Sequence, residues 1–494
     1  MASAIAVLGL SDVFDSIYGS SAGSVVGAYM VSRQMCIDVY TDVLTAAKTK
    51  FVSKGRLASS LAYNLFDHKV LNRSNMRNNT IFSKTVDPPM NISFVLDTIM
   101  DPEHGLRPLD LKTFGLNDKH QPLRIVTSAV RESKMETHCL GSKNMDFFDR
   151  IGENGEVLDR ATTMLNGKRH GLFACLETSM TVPAATGPPL PMLRNKDAHM
   201  NIPIRCFDAF CYEPIPYRSA VKEGATHVMV LKTRPDGNPI GSKPGLFETI
   251  FAPTYFDGNG MPQVSNFFKK GGQQYIYIED YLTLDAGKSA GPEGVPVPPT
   301  KILYGVEKDD EAKALIQNRN EWKKAHLFPV AVPHGSSELS TLSVEQDEVL
   351  MAVRDGFAVA FDLLAPIANI RLKPHMNGKR AAELIFANVG SFRDVLEKPM
   401  PAAGNTIYDQ KDPLKDGTRD FTMQSSFLYV KNDVVDPSHR IEEIRDPPYF
   451  MDFKDPVDSC PKRDAHHLLN ALPGFESGKM ESLSRGLRSI QVKT

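Results

Sequence analysis

Apolar residues crowd the start of the chain. Ala4 to Leu10 reads as the end of an amphipathic helix, followed by a short loop and a strand finishing at Ile17-Tyr18. Residues 22 to 36 read as a second helix, with Val25, Val26, Ala28, Tyr29 and Met30 apolar and almost no charge, so most of its surface should be buried. Residues 40 to 70 also carry a helical pattern, bounded by the Asn- and Arg-rich stretch 72–79. Leu123 to Val130 predicts a strand, and His170 to Met180 a helix running into Thr181-Val-Pro183, with a Pro-rich bend at 186–191. Thr226 to Thr233 is a continuous apolar run of the kind found in the middle of a sheet covered on both faces. Residues 284–300 predict a Gly/Pro-rich loop, and Lys308 to Lys324 a charged, solvated helix. Ser343-Val-Glu-Gln346 forms a capping box ahead of a helix that sets Leu350, Val353, Phe357, Phe361 and Leu364 on one face. Beyond residue 368 the periodicity fades. Strands alternating with helices predict an α/β sheet with helices on both sides.

Composition narrows the class without naming a chemistry. At 494 residues, 41% hydrophobic and 23% charged, the chain is in the ordinary range for a globular protein and can bury a sizeable core. A net charge of −2 supplies no field to steer it to nucleic acid, so no nucleic-acid partner is expected. The six cysteines, at 36, 139, 175, 206, 211 and 460, have no zinc-like spacing, and free buried thiols in a reducing compartment are expected. No Lys or Arg precedes Arg33, which speaks against a secretory signal, and no apolar run reaches the length of a membrane-spanning helix. The expectation is an intracellular protein, soluble or peripherally attached to membrane.

The chemistry enters at Gly19-Ser20-Ser21-Ala22-Gly23, a G-x-S-x-G pattern between the first strand and an apolar helix. A serine on a sharp strand-to-helix turn exposes its hydroxyl, while flanking glycines let strand and helix approach closely. Gly27 adds a small position one turn further on. The Ala22 N–H, at the helix N-terminus, faces the oxygen that becomes negative during acyl transfer. Ser21 then needs a base. A Ser-Asp-His triad on the α/β-hydrolase pattern would place several strands ahead of the elbow, where this chain has about twenty residues. None of the 13 histidines carries a signature, with His227 inside a predicted strand and His334 in a loop.

A second stretch, Cys206-Phe-Asp208-Ala-Phe-Cys-Tyr-Glu-Pro214-Ile-Pro216 running on to Gly224-Ala225 and the apolar strand, combines with the elbow into a longer pattern. Thr178-Ser-Met-Thr-Val-Pro183 with Gly187-Pro-Pro189 lies upstream; Phe328 to Pro333 and Val353-Arg-Asp-Gly356-Phe357 lie downstream. Taken in order across residues 4 to 365, these segments resemble the patatin-like phospholipase family. The resemblance implies a three-layer α/β/α sandwich with a mostly parallel central sheet over residues 1–365, and an irregular extension over 366–494. It further implies a Ser21–Asp208 dyad that cleaves lipid esters (phospholipid, lysophospholipid, galactolipid or triacylglycerol) through an acyl-enzyme, with no histidine, metal or cofactor and with membrane or lipid-droplet contact. Two departures qualify it. The family follows its aspartate with Gly where this chain has Ala209, and a strained turn is expected if that residue needs positive φ. The family also carries a Gly-rich oxyanion loop ahead of the helix in which this chain begins, so the loop and its strand are expected to be missing from an N-terminally incomplete sequence. The alternative is a catalytically impaired lipid-binding or interaction protein.

Overall fold

The computed structural model describes residues 1–386 except 54–89, 195–202, 236–246, 301–317 and a few shorter stretches. Helix α1 (Ala2–Val7) leads to strand β1 (Ile17–Ser20) and helix α2 (Ala22–Val31). Short helical turns occupy much of 39–51, and α3 (Leu111–Asn117) is capped by Asp110, whose carboxylate accepts from Thr113 N–H. Next come β2 (Leu123–Arg131), β3 (Lys134–Cys139), β4 (Asp149–Ile151), β5 (Val157–Leu158), α4 (Leu172–Ser179), β6 (Leu190–Leu193) and β7 (Ile204–Phe207). The chain continues with α5 (Tyr217–Lys222), β8 (His227–Leu231), α6 (Ala252–Gly258), α7 (Pro262–Lys269) and α8 (Gly272–Lys288). It closes with β9 (Val295–Pro296), β10 (Lys324–Val330), α9 (Gln346–Ile367) and α10 (Gly378–Ile385).

The fold is α/β with open sheets. One runs β1-β2-β7-β6-β4-β5 with β3 also on β2, and a second runs β8-β10-β9. The expectation of a mostly parallel central sheet is not met among the described strands. Only β1–β2 and β8–β10 pair in parallel; the remaining pairings are antiparallel. The cause is visible at β2–β3, where Arg131 pairs with Lys134 across a two-residue turn containing Glu132 at φ 46°. So short a connection can join only antiparallel neighbours.

Alternation along the strands assigns each face to its own core. Leu123, Ile125 and Ala129 of β2 pack with α2 and α4, whereas Val130 and Phe207 face the aromatic cluster of α6–α8. In the second sheet, Met229, Leu231, Phe328 and Val330 meet α1, α9 and α10, while Val230, Ala325 and Leu327 face Tyr217 and Leu284. Helices therefore cover both faces of each sheet.

Several expected elements change. The apolar run at 226–233 is a strand, but it is an edge of its sheet among the described residues, with Val230 its buried position. Residues 284–288 belong to α8; Gly287 reads as a loop residue, yet a Cβ there would lie 2.8 Å from Leu327 Cβ, so it is a close-packing glycine. The Pro-rich bend is present over 186–189, and the chain enters β6 at Leu190, where Leu190 and Met192 alternate into the core. Most of the charged helix expected at 308–324 lies outside the described residues, as does 54–70; Arg319–Glu321 forms a 3-10 turn and Lys324 already opens β10. The apolar face of α9 is as expected, but the capping box does not form: Ser343 Oγ donates to Glu348 Oε2 and Gln346 Nε2 to Thr41 O. The core nevertheless runs past residue 365: Ala381, Ala382, Ile385 and Phe386 are buried against Phe357 and Phe361. Among the described residues no helix is long and apolar enough to cross a membrane.

Candidate active site

Strand β1 stops at Ser20, and Ser21 turns the chain straight into α2 with φ 49° and ψ −129°. Such angles are costly for a residue with a Cβ, on the order of 1–3 kcal/mol, and persist only where the surroundings enforce them. The enforcement is local. A Cβ on Gly19 would lie 2.5 Å from Ser24 Cα and 2.8 Å from Gly23 O, so only glycine lets the strand pass beneath the helix start. Gly27 meets Leu123 Cδ1 and Ile17 Cγ2 in the same way, at 2.7 and 3.3 Å. Gly23 differs from the expectation, because its Cβ would meet nothing within 4 Å. Its role is not close approach; it leaves the space beside Ser21 open.

Asp208 follows β7, which pairs antiparallel with Ser128, Ala129 and Val130 of β2, while β1 pairs in parallel with residues 123–126 along the same edge of β2, opposite β3. The sheet thus brings residues 187 positions apart into contact: the Ser21 hydroxyl donates to Asp208 Oδ2 at 2.7 Å. The other carboxylate oxygen accepts from Phe210 N–H at 2.9 Å, capping a 3-10 turn over Ala209–Cys211. The aspartate is therefore both a cap and the serine's partner. Ala209 enters that turn without positive φ, so the missing glycine costs no strain. Asp208 is 1% exposed, and burial pushes its carboxyl up to about 7 against the opposing hydrogen bonds from Phe210 and Ser21.

The hydroxyl side of the dyad is open. Ser21 is half-buried, whereas Ala22 and Gly23 are exposed at the start of α2. The amides of the first helical residues have no intrahelical acceptor, which leaves the Ala22 and Gly23 N–H groups at the positive end of the helix dipole. The Ser24 amide is already bonded to Ser21 O at 2.9 Å. Ser20 points away from the dyad and donates to Pro214 O at 2.8 Å, tying the elbow to the segment beyond Asp208.

Residues that the sequence reading left without a role hold this arrangement. Ser21 N–H donates to Ser179 Oγ at 2.9 Å, Asp208 N–H to Thr181 O at 2.9 Å, and Tyr212 N–H to Ser128 Oγ at 3.1 Å. Ser128 and Ser179 are fully buried. Their one sequence signal is a hydroxyl at a position that periodicity assigns to the core. His227 lies elsewhere, stacked on His326 across β8–β10 with ring centroids 4.5 Å apart; His334 is outside the described residues. Cys139, Cys175, Cys206 and Cys211 are free thiols, and Cys36 and Cys460 lie outside the described residues. Among the described residues no three His, Cys, Asp or Glu side chains gather as a metal-binding group.

Compared with known families and with curated proteins, the chain matches no family model and no curated protein.

Proposed function

We propose that the chain is a serine acyl hydrolase acting through the Ser21–Asp208 dyad, with the ester of a membrane or storage lipid as substrate. One observation carries the proposal: a strained, half-exposed serine donates at 2.7 Å to a carboxylate that is itself buried. Asp208 accepts the hydroxyl proton as Ser21 Oγ attacks the ester carbonyl. The carbonyl oxygen becomes negative, and the Ala22 N–H at the start of α2 is placed to stabilise it. The alcohol leaves with a proton returned from Asp208, giving an acyl-Ser21. Asp208 next takes a proton from water, whose oxygen attacks the acyl carbon and releases the fatty acid. A carboxyl poised near 7 is suited to both directions of this transfer.

The lipid substrate and the three-layer arrangement of patatin-like phospholipases rest on the resemblance of the elbow and the Asp208 block, and peripheral contact with membrane would deliver such a substrate. Hydrolysis of a medium-chain nitrophenyl ester, and labelling by a fluorophosphonate probe, test the reading. Both should vanish in Ser21→Ala. Equal rates in wild type and Ser21→Ala would overturn it.

A further inference from the structure

The elbow contains an interruption that ordinary sheet geometry does not. In a parallel ladder each N–H reaches the carbonyl one residue before its partner, and Ile17, paired with Leu123, duly donates to Pro122 O at 3.1 Å. Advancing by two residues per rung, the Ser21 N–H would next reach Val126 O. It does not. The Ser179 hydroxyl sits between them, accepting from Ser21 N–H at 2.9 Å and donating to Val126 O at 2.8 Å. A side chain has been inserted into the ladder at the residue where the backbone leaves the strand.

We propose that Ser179 is a positioning residue for the Ser21 nucleophile, its hydroxyl serving as a relayed rung that fixes the elbow. The proposal rests on the hydrolase reading of the dyad. The inserted oxygen widens the spacing between Ser21 and β2 by the width of one atom, which lets the backbone swing to φ 49° without orphaning a buried N–H or a buried C=O. The task requires a small group that accepts and donates at once, and among side chains of that size a hydroxyl does both. Ser179 ends α4 and is fully buried, so neither its position nor its partners are shared with bulk water. Two residues on, Thr181 O accepts from Asp208 N–H at 2.9 Å. One short segment therefore holds the backbone of both dyad members.

The decisive comparison is Ser179→Thr against Ser179→Val, which add the same bulk but differ in the hydroxyl. Two readouts apply: steady-state hydrolysis of a soluble nitrophenyl ester, and hydrogen exchange at the Ser21 amide. The Thr variant should keep both near the wild-type level. The Val variant should lose kcat by roughly 10- to 100-fold at unchanged KM, as expected for a nucleophile displaced by about an ångström, and its Ser21 amide should exchange faster. Equal kcat and equal exchange in the two variants would overturn the proposal. If the core rejects the added methyl of both, Ser179→Ala carries the test, and unchanged exchange at Ser21 refutes the rung. The exchange readout does not depend on catalysis. Faster exchange in a chain whose ester hydrolysis is indifferent to Ser21→Ala would therefore sink the hydrolase reading while leaving the rung intact.

Discussion

The base proposed for Ser21 is buried, so the protein should be less stable when it is ionised, and Asp208→Asn measures by how much. The ordinary carboxyl value of 3.8 is raised to about 7 here, and the dominant cause is loss of solvent. Because the folded-state value is the raised one, the folded chain binds the extra proton. The ionised carboxylate then costs stability progressively as pH rises from about 4 to about 7, and the cost levels off above that. At about 1.4 kcal/mol per unit, it approaches roughly 4 kcal/mol at pH 8 but is under about 2 kcal/mol at pH 5. An amide can keep the local geometry, its oxygen accepting from Phe210 N–H and its NH2 facing Ser21 Oγ, yet it never ionises. Asp208→Asn should therefore gain about 2–3 kcal/mol over wild type between pH 5 and pH 8, while losing about 10²- to 10⁴-fold in ester hydrolysis at pH 8 with the base gone. Urea unfolding of both proteins at the two pH values reads the first quantity, and any constant offset from the substitution cancels in the difference. A stability gap that does not change with pH would refute the buried ionised base, and undiminished hydrolysis would refute its catalytic role.

The same carboxyl should shape the rate profile: kcat/KM on a soluble ester should rise with pH through an apparent value near 7, since the base must be unprotonated, and a limb near 4 would contradict the burial. Gly19→Ala should destabilise by about 2 kcal/mol or more, because its Cβ strikes backbone. Gly23→Ala should fold at least as stably as wild type, since its Cβ meets open space, and thermal unfolding midpoints separate the two cases. Arg218→Met should cost about 3–5 kcal/mol at neutral pH, because it strips the partner from the fully buried Asp280, to which Arg218 Nη2 donates at 2.6 Å. The loss should shrink toward pH 5 as the stranded Asp280 takes a proton, and a pH-independent loss measured by urea unfolding would refute that account.

Local signals in the chain were sufficient for the elbow and insufficient for its supports. Gly19 and Gly27 could be read as close-approach glycines because a strand and an apolar helix abut there, and the structure gives each a clash to explain it. Gly23 shares the motif but not the reason, since a spacing pattern cannot distinguish a glycine that admits backbone from one that leaves room for a ligand. Strand direction was illegible for a related cause. Apolar runs show that a segment is buried, whereas direction depends on connections such as the two-residue β2–β3 turn and on which neighbours share hydrogen bonds. The helix end at Gly287 and the edge position of β8 were misread because glycine and unbroken apolarity have more than one structural use. Ser128, Ser179 and Thr181 act through one or two hydrogen bonds to distant backbone, which leave no periodic trace.

That division explains how a dyad expected on a mostly parallel sheet can sit on a largely antiparallel one. The distance from Ser21 to Asp208 does not depend on the order of the outer strands. It depends on β2, along one edge of which the ends of β1 and β7 meet, and on residues 179–181, which grip one backbone amide of each dyad member. β4 and β5 pair with none of β1, β2 and β7, so changes there reach the site at second hand, through β6. Substitutions on the outer strands should therefore lower stability without altering kcat, whereas changes at Ser179 should alter kcat more than stability. Enzymatic assay and urea unfolding of Ile151→Ala, a buried β4 position, beside Ser179→Val separate the two behaviours. A fall in kcat for folded Ile151→Ala as large as that for Ser179→Val would show that the dyad is held by the sheet as a whole.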